Sequence, residues 1–347
     1  MDRVLTAEPV RSSPQPTPEP PLRPRHRVTA WAAGLLLAVP ALVAACRALD
    51  TDATAPVPQL LSFLPWLTVP AGLALLLAAV IGRRVLTFAA VLVLVATAWS
   101  SVPYMPQAVI SYGLPLARVK VVAANVEFSQ GTSALSRVVA REDPQLVFVT
   151  ECNRSCRDTL TKAFAARLPH HASVEGEGSV GSILLSSYPL SDRRTIPGSM
   201  GMPGATAEIA GVRVRLQLVH PVPPLPDRTQ LWKRELAAIE EYAATAAATA
   251  TASSEGLAPA LIAGDFNASQ DHAAFRAILD AGGLQDASRR ADQSRTPTWP
   301  MEGPLPPFVQ IDHVLVRDFS VREVRFLDLA GSDHRAVLAD LDLRGPR

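Results

Sequence analysis

The sequence predicts an α/β domain of about 230 residues, its mixed sheets covered by helices, carried behind three membrane-crossing helices. Three observations predict it. From Arg118 onward, short apolar strand-like runs alternate with helical stretches, and some strands follow each other with no helix between. Before Arg118 lie three long apolar runs without charge. And strand after strand ends in a carboxylate, a carboxamide or an imidazole.

Taken in order, residues 1–27 are rich in Pro, Ser, Thr and charge and read as a disordered cytoplasmic tail. Arg23, Arg25 and Arg27 cluster ahead of the first apolar run, 28–46. A second run covers 53–82, most apolar from Leu60, and a third covers 85–110, so the expected anchor is 28–110. Prolines at 40, 65 and 70 are better tolerated in membrane helices than in soluble ones. Basic residues face the cytoplasm, so the early Arg cluster and Arg83-Arg84 orient the spans. Three spans then put everything after about Ser111 outside. A second reading takes Val43-Ala44-Ala45-Cys46 as a lipoprotein processing site with Cys46 lipidated, which also leaves the later residues outside.

Residues 1–116 hold 8 basic and 5 acidic residues, leaving 25 basic against 27 acidic, about −2, in the remainder. A domain gripping long nucleic acid usually carries a basic surplus, so nucleic acid is admitted but not favoured. No Cys/His cluster has zinc-ligand spacing. Cys152 and Cys156 sit four apart near a helix start, as a bridge or as two buried thiols.

In the catalytic region, 118–347, a strand over 119–124 delivers Asn125, and a helix over 133–141 follows. A strand over 145–149 delivers Glu151, ahead of a helix over 155–168. Strands over 181–187 and 213–219 follow, the latter delivering His220. A helix over 227–248 carries Leu231, Leu236, Ile239 and Tyr242 near one face. A strand then runs up to Gly264, which permits a sharp turn, and Asp265 and Asn267 emerge on one side of the extended chain. A helix over 272–281, a polar Pro-rich loop over 288–307 and strands over 309–316, 321–326 and 336–341 complete the chain. Long loops of that kind often cover a site.

Asn125, Glu151, His220, Asp265, Asn267, Asp312, Asp333 and His334 all stand at or beside strand ends, where ligand sites of α/β sheets form. Acids, amides and two imidazoles there suit a divalent cation and a phosphate. Mg²⁺ typically takes one or two carboxylates and keeps waters and phosphate oxygens, with Glu151 the first candidate ligand. Asp265 is a candidate for a second metal contact or for the base acting on water. Asn125 and Asn267 bind phosphate oxygens or water without adding charge. His334 is placed to donate to the scissile phosphate or shuttle a proton, with Asp312 as the partner that orients it. His313, His170, His171 and His272 read as structural.

Asn125 after its strand, Thr150-Glu151, His220-Pro221, Gly264-Asp265-Phe266-Asn267, Ile311-Asp312-His313 and Ser332-Asp333-His334-Arg335 occur in the order seen in the endonuclease/exonuclease/phosphatase superfamily, which the chain resembles over about 118–343. The resemblance implies a four-layer α/β/β/α sandwich and hydrolysis of phosphate esters with Mg²⁺ or Mn²⁺. It implies Glu151 as metal ligand with Asn125 and Asp333 nearby, Asp265 and Asn267 positioning nucleophile and phosphate, Asp312 orienting His334, and His220 on the phosphate. The sequence departs from the family at Thr150, where Gln usually precedes the metal-binding glutamate, and it has no clear counterpart of the basic DNA-inserting loops. Three apolar runs ahead of such a domain resemble a bacterial membrane branch that includes glycopeptide-resistance proteins. The expectation is a multi-pass phosphohydrolase that acts at the bilayer on a phosphate ester such as a lipid-linked pyrophosphate. The alternatives are an extracytoplasmic nuclease and an inactive scaffold or sensor.

Overall fold

The computed structural model describes residues 24–104, 113–251, 258–304 and 306–345. Of the tail expected to be disordered, 1–27, residues 24–27 instead form the first turn of a helix, and 1–23 lie outside the described residues, as do the end of the third apolar run and part of the linker before Leu261.

The first apolar run forms helix α1 (Pro24–Ala48), whose 23 residues His26–Ala48 are long and apolar enough to cross a bilayer. The second run is not one helix. It divides into α2 (Val57–Leu61), a 3-10 turn (Leu64–Leu67) and α3 (Thr68–Val80), with Pro58 and Pro65 at the second positions of the two short pieces. The third run gives α4 (Arg84–Ser100), 17 residues, spanning about 25 Å against the roughly 30 Å of a hydrocarbon core. One helix of full span length and two shorter apolar helices therefore stand where three spans were expected. The three pack together through Ala33, Leu37, Ala74 and Ala90. Small residues let their backbones approach. Trp31, Leu35, Leu76, Phe88, Val95 and Trp99 stay exposed on the outside of this bundle.

The rest of the chain runs β1 (Pro115–Asn125), α5 (Thr132–Glu142), β2 (Leu146–Thr150), α6 (Arg154–Ala163), β3 (His170–Val174), β4 (Ser182–Ser186), β5 (Leu190–Thr195), β6 (Pro203–Ile209) and β7 (Val212–Val219). It continues with α7 (Thr229–Thr251), β8 (Ala260–Asp265), α8 (Ala273–Gly282), β9 (Gln285–Asp286), α9 (Ala287–Arg290), β10 (Asp312–Arg317), β11 (Phe319–Asp328) and β12 (Arg335–Arg344). These strands form two six-stranded sheets, ordered β11-β12-β1-β2-β4-β3 and β5-β6-β7-β8-β10-β9. Both are mixed, with parallel pairs β1/β2 and β7/β8 among antiparallel neighbours.

Alternation along the strands builds the layers. Val121, Ala123, Leu146 and Phe148 face the second sheet, meeting Leu216, Leu218, Leu261 and Ala263 in a core between the sheets. The intervening Val122, Ala124, Val147 and Val149 face outward to Leu135, Val138, Val139 and Leu160 of α5 and α6. On the other side, Ile262 and Leu315 pack against Trp232, Leu236 and Ile239 of α7 and Phe275, Ile278 and Leu279 of α8. The result is helix, sheet, sheet, helix. Both parallel pairs direct the C-terminal ends of their strands to one rim: Asn125 pairs with Thr150, and Val219 with Gly264.

Gly264 does not turn the chain. It lies within β8 at φ +145°, where an added Cβ would stand 2.2 Å from the Val219 carbonyl oxygen. Its role is close approach to β7.

The loop between α1 and α2 is seated on the catalytic domain. Both Asp52 carboxylate oxygens accept from the first turn of α8, Oδ1 from Ala273 N (2.7 Å) and Oδ2 from Ala274 N (2.9 Å). Asp50 pairs with the buried Arg276. His272 accepts from Ser269 N at Nδ1 (2.9 Å) and donates from Nε2 to the Pro58 carbonyl (2.8 Å), so it is structural, as expected, and ties the two parts together.

Candidate active site

The rim collects all eight expected residues. Asn125 ends β1, and its Nδ2 donates to Glu151 Oε1 (3.2 Å) and Asp265 Oδ2 (3.1 Å). Glu151 follows β2 in a left-handed backbone conformation (φ +58°), uncommon for a residue with a side chain. Its Oε2 accepts from Phe128 N (3.0 Å), and its carbonyl accepts from Ser129 Oγ (3.1 Å). The next residue, Cys152, is bridged to Cys156 at the start of α6, so the bridge is one of the two readings left open by spacing.

Asp265 ends β8 fully buried, with Oδ1 accepting from Asn267 N (2.8 Å). Asn267 adopts φ +46°, a conformation Asn tolerates, and its Nδ2 donates to the Pro221 carbonyl (2.9 Å). That amide is engaged with the backbone rather than held open. His220 lies beyond β7, buried, with Nε2 3.8 Å from both Glu151 Oε1 and Asp265 Oδ2. Asp312 opens β10 and accepts at Oδ2 from His334 Nδ1 (2.8 Å), the orienting contact expected from sequence. His334 Nε2 then faces Asp265 Oδ2 at 3.8 Å and Asp333 Oδ1 at 3.7 Å.

The two imidazoles have opposite characters. Burial lowers His220 to about 3, with the positive His334 adding to the effect, so it is neutral. Burial also opposes charge on His334. Asp312, Asp265 and Asp333 outweigh it and raise the group to about 10, so it is an imidazolium. Burial raises Asp265 to about 7; Asp312 adds to this and His334 opposes it. One pocket therefore holds four carboxyl groups, Glu151, Asp265, Asp312 and Asp333, against one cationic side chain.

That charge imbalance and the all-oxygen donor set fit a hard divalent cation. Side-chain atoms of Asp265, Asp312 and His334 form a group within 4.8 Å of one another, and because the protonated His334 has no lone pair to offer, the carboxylate oxygens are the donors left for an ion. This group differs from the expected set of Glu151, Asn125 and Asp333, of which Glu151 and Asn125 adjoin Asp265 and Asp333 adjoins His334. Asp312 Oδ1 is buried with no hydrogen-bond partner, an acceptor left for a ligand.

Three supporting residues, Thr298, Trp299 and Glu127, escaped the sequence reading, and a fourth, Ser332, was named there only as part of its motif. Thr298 Oγ1 accepts from Ile311 N (3.0 Å) and Asp312 N (3.2 Å). Trp299 Nε1 donates to Asp333 Oδ2 (2.8 Å). Glu127 Oε2 accepts from Asp333 N (2.8 Å). Ser332 Oγ donates to the Asn125 carbonyl (2.8 Å) and accepts from His334 N (3.1 Å). The one available signal was the long polar loop, which carries Thr298 and Trp299. His313, expected to be structural, is buried between Asp286 (2.8 Å) and the Ala268 carbonyl (3.1 Å).

A family model described as "Endonuclease/Exonuclease/phosphatase family" matches residues 122–334. No curated protein matches the sequence. Among solved structures, TDP2 of D. rerio complexed with a single-strand DNA product is 16% identical, with TM-score 0.52, covering 65% of this chain and 99% of its own. Truncated TDP2 of Caenorhabditis elegans is 15% identical, with TM-score 0.52, over 65% of this chain and 97% of its own. An endonuclease/exonuclease/phosphatase from Bacteroides vulgatus is 15% identical, with TM-score 0.51, over 65% and 99%. At these identities the likeness is one of fold.

Proposed function

The chain belongs to the endonuclease/exonuclease/phosphatase family, and from that premise we propose a membrane-anchored phosphohydrolase acting outside the cytoplasm on a lipid-borne phosphate or pyrophosphate. Membership makes it a metal-dependent hydrolase of phosphate ester bonds. The anchor, its orientation, the substrate and the residue roles are our reading.

One observation carries the membrane reading. A three-helix bundle with an apolar outer surface is joined, through Asp50, Asp52 and Pro58, to the domain that bears the pocket. Contiguous exposed apolar surface of that kind suits lipid. We assign the anchor to 28–110, with all three apolar helices in the bilayer, and the catalytic domain to 118–347. The bridged Cys152 and Cys156 support an oxidising, extracytoplasmic setting. Arg83-Arg84 between α3 and α4 supports the same orientation.

In the mechanism we propose, water attacks phosphorus in line. Asp265, with one oxygen fixed by Asn267 N and the other by Asn125, orients that water and accepts its proton. Its raised titration point suits a base near neutral pH. His334 donates from Nε2 to a phosphoryl oxygen as charge develops, and Asp312 keeps it oriented and protonated. His220, neutral, binds phosphate without adding charge to the site. Glu151, Asn125 and Asp333 would hold a divalent cation, Mg²⁺ or Mn²⁺. When bound, the cation neutralises charge on the phosphate oxygens.

The structural relative carrying single-strand DNA keeps a nuclease reading alive as the competing outcome. The deciding experiment offers lipid pyrophosphate, phospholipid and plasmid DNA, with Mg²⁺ or Mn²⁺, to the full-length chain and to E151A and H334A. Release from lipid that both variants abolish is expected. Cleavage of DNA with lipid untouched overturns the reading in favour of a nuclease, and a wild type no faster than the variants makes the domain a scaffold.

A further inference from the structure

A row of aromatic rings runs from the anchor to the pocket, and the mechanism above uses none of them. Phe63, just before the 3-10 turn of the anchor, stacks on Phe308 with centroids 4.5 Å apart. Trp66, in that turn, donates from Nε1 to the Phe308 carbonyl (3.2 Å). Phe308 meets Trp299 edge to face at 5.7 Å, the two held by a small ladder in which Phe308 N donates to the Trp299 carbonyl (3.1 Å). Trp299 donates to Asp333, and Asp333 adjoins His334. Beside the row is a cavity of about 210 Å³, walled by Ser62, Pro65 and Trp66 on the anchor side and by Pro297, Phe308 and Val309 on the domain side.

None of the four rings is fully buried, and Trp66 is half exposed. They therefore offer apolar surface without being spent on the core. Every neighbouring pair is in contact, so the row is continuous from the 3-10 turn ahead of α3 to the carboxylate next to His334. A substrate that carries a phosphate at one end and a hydrocarbon chain at the other matches both ends of that path. A free phosphate monoester or a strand of nucleic acid matches only one: the cavity beside the rings is also lined by Gln270, Asp271, Arg295 and Gln310, and its one cation among the described residues, Arg295, is paired with Asp271.

We propose that Phe63, Trp66, Phe308 and Trp299 form the track that receives the hydrocarbon chain of the substrate, so that the anchor itself supplies part of the specificity site. The proposal rests on the lipid-phosphate reading above. Removing a ring from the track weakens transition-state binding of long chains and leaves the shortest chain least affected. An aromatic side chain buries enough area that its loss is expected to cost about tenfold in kcat/KM for a long chain.

The test uses the full-length chain in lipid nanodiscs, with Mg²⁺, and a series of butyl, octyl and dodecyl phosphates. In the wild type, kcat/KM should rise with chain length. In F63A and W66A the ratio of dodecyl to butyl kcat/KM should fall about tenfold, and in F63L and W66F, which retain bulk, it should fall less. A ratio unchanged in the Ala variants, including equal loss on every substrate, shows that the rings only hold the loop and overturns the proposal. A wild type indifferent to chain length overturns it as well. A wild type that hydrolyses a soluble phosphodiester and none of the alkyl phosphates would instead remove the lipid reading on which the proposal stands.

Discussion

Asn125 Nδ2 donates to Asp265 Oδ2 across 3.1 Å, joining the end of a strand in one sheet to the end of a strand in the other. The same nitrogen reaches Glu151 at 3.2 Å, so a single amide spans the carboxylates assigned to the base and to the cation in our mechanism. Replacing Asn125 with Ala leaves both acids unbridged. N125A is expected to lose about 10²-fold in kcat, in line with deleting one preorganised donor. Steady-state rates on a soluble phosphodiester check it, and a loss under threefold would show that the bridge does not matter to turnover.

Asp312 keeps the imidazolium of His334 both aimed and charged. D312N keeps the shape and removes the charge. Because Asp312 raises His334, its loss moves the alkaline limb of the pH–rate profile to lower pH, alongside a fall in rate of about 10²-fold. An alkaline limb that stays in place while the rate falls would assign that limb to another group.

His220 couples acidity to stability. Burial holds it neutral, at about 3 in the fold against about 6.5 in the unfolded chain. Between those values the unfolded state binds the extra proton, so stability falls as pH drops. Melting curves with a chelator present should show the wild-type Tm declining below about pH 6.5 more steeply than that of H220N. Parallel curves would move the acid sensitivity elsewhere.

The Cys152–Cys156 bridge closes a short loop directly after Glu151. In a C46S background denatured without reductant, which opens the buried pair, a maleimide should label nothing until a reductant is added. Labelling without reductant would mean free thiols. The C152S/C156S variant should lose roughly 2 kcal/mol of stability from loop-closure entropy.

Much of this was legible in the sequence, for physical reasons that differ by residue. Each of the eight site residues follows or adjoins an apolar run, and parallel pairing of β1 with β2 and of β7 with β8 brings the ends of those runs to one rim. Asp312 and His334 could be paired because each stands at the start of a strand that begins at that rim. The strands β3, β5 and β6 were not foreseen. β5 is Leu-Ser-Asp-Arg-Arg-Thr and largely exposed, and β6 is rich in small residues, so neither carries the apolar alternation that marks a strand. Gly264 was read as a turn, because the contact that demands it is made with Val219, far away in the chain. The break in the second apolar run was signalled by prolines at 56, 58 and 65, which the absence of charge outweighed in the reading. The partners Trp299 and Thr298 sit in a loop with no periodic pattern, and their hydrogen bonds follow from tertiary placement alone.

The seating of Asp52 on α8, with Asp50 on Arg276 and Pro58 on His272, would have a kinetic consequence for the membrane-anchored enzyme proposed above. A catalytic unit held to its own helices at these contacts would not swing freely above them. Its reach above the surface would be set once, near the headgroups, and encounter would become a search in two dimensions. Turnover would then track the surface density and lateral diffusion of its target within the leaflet, and diluting the surrounding lipid would slow it while stirring the bulk solution would not.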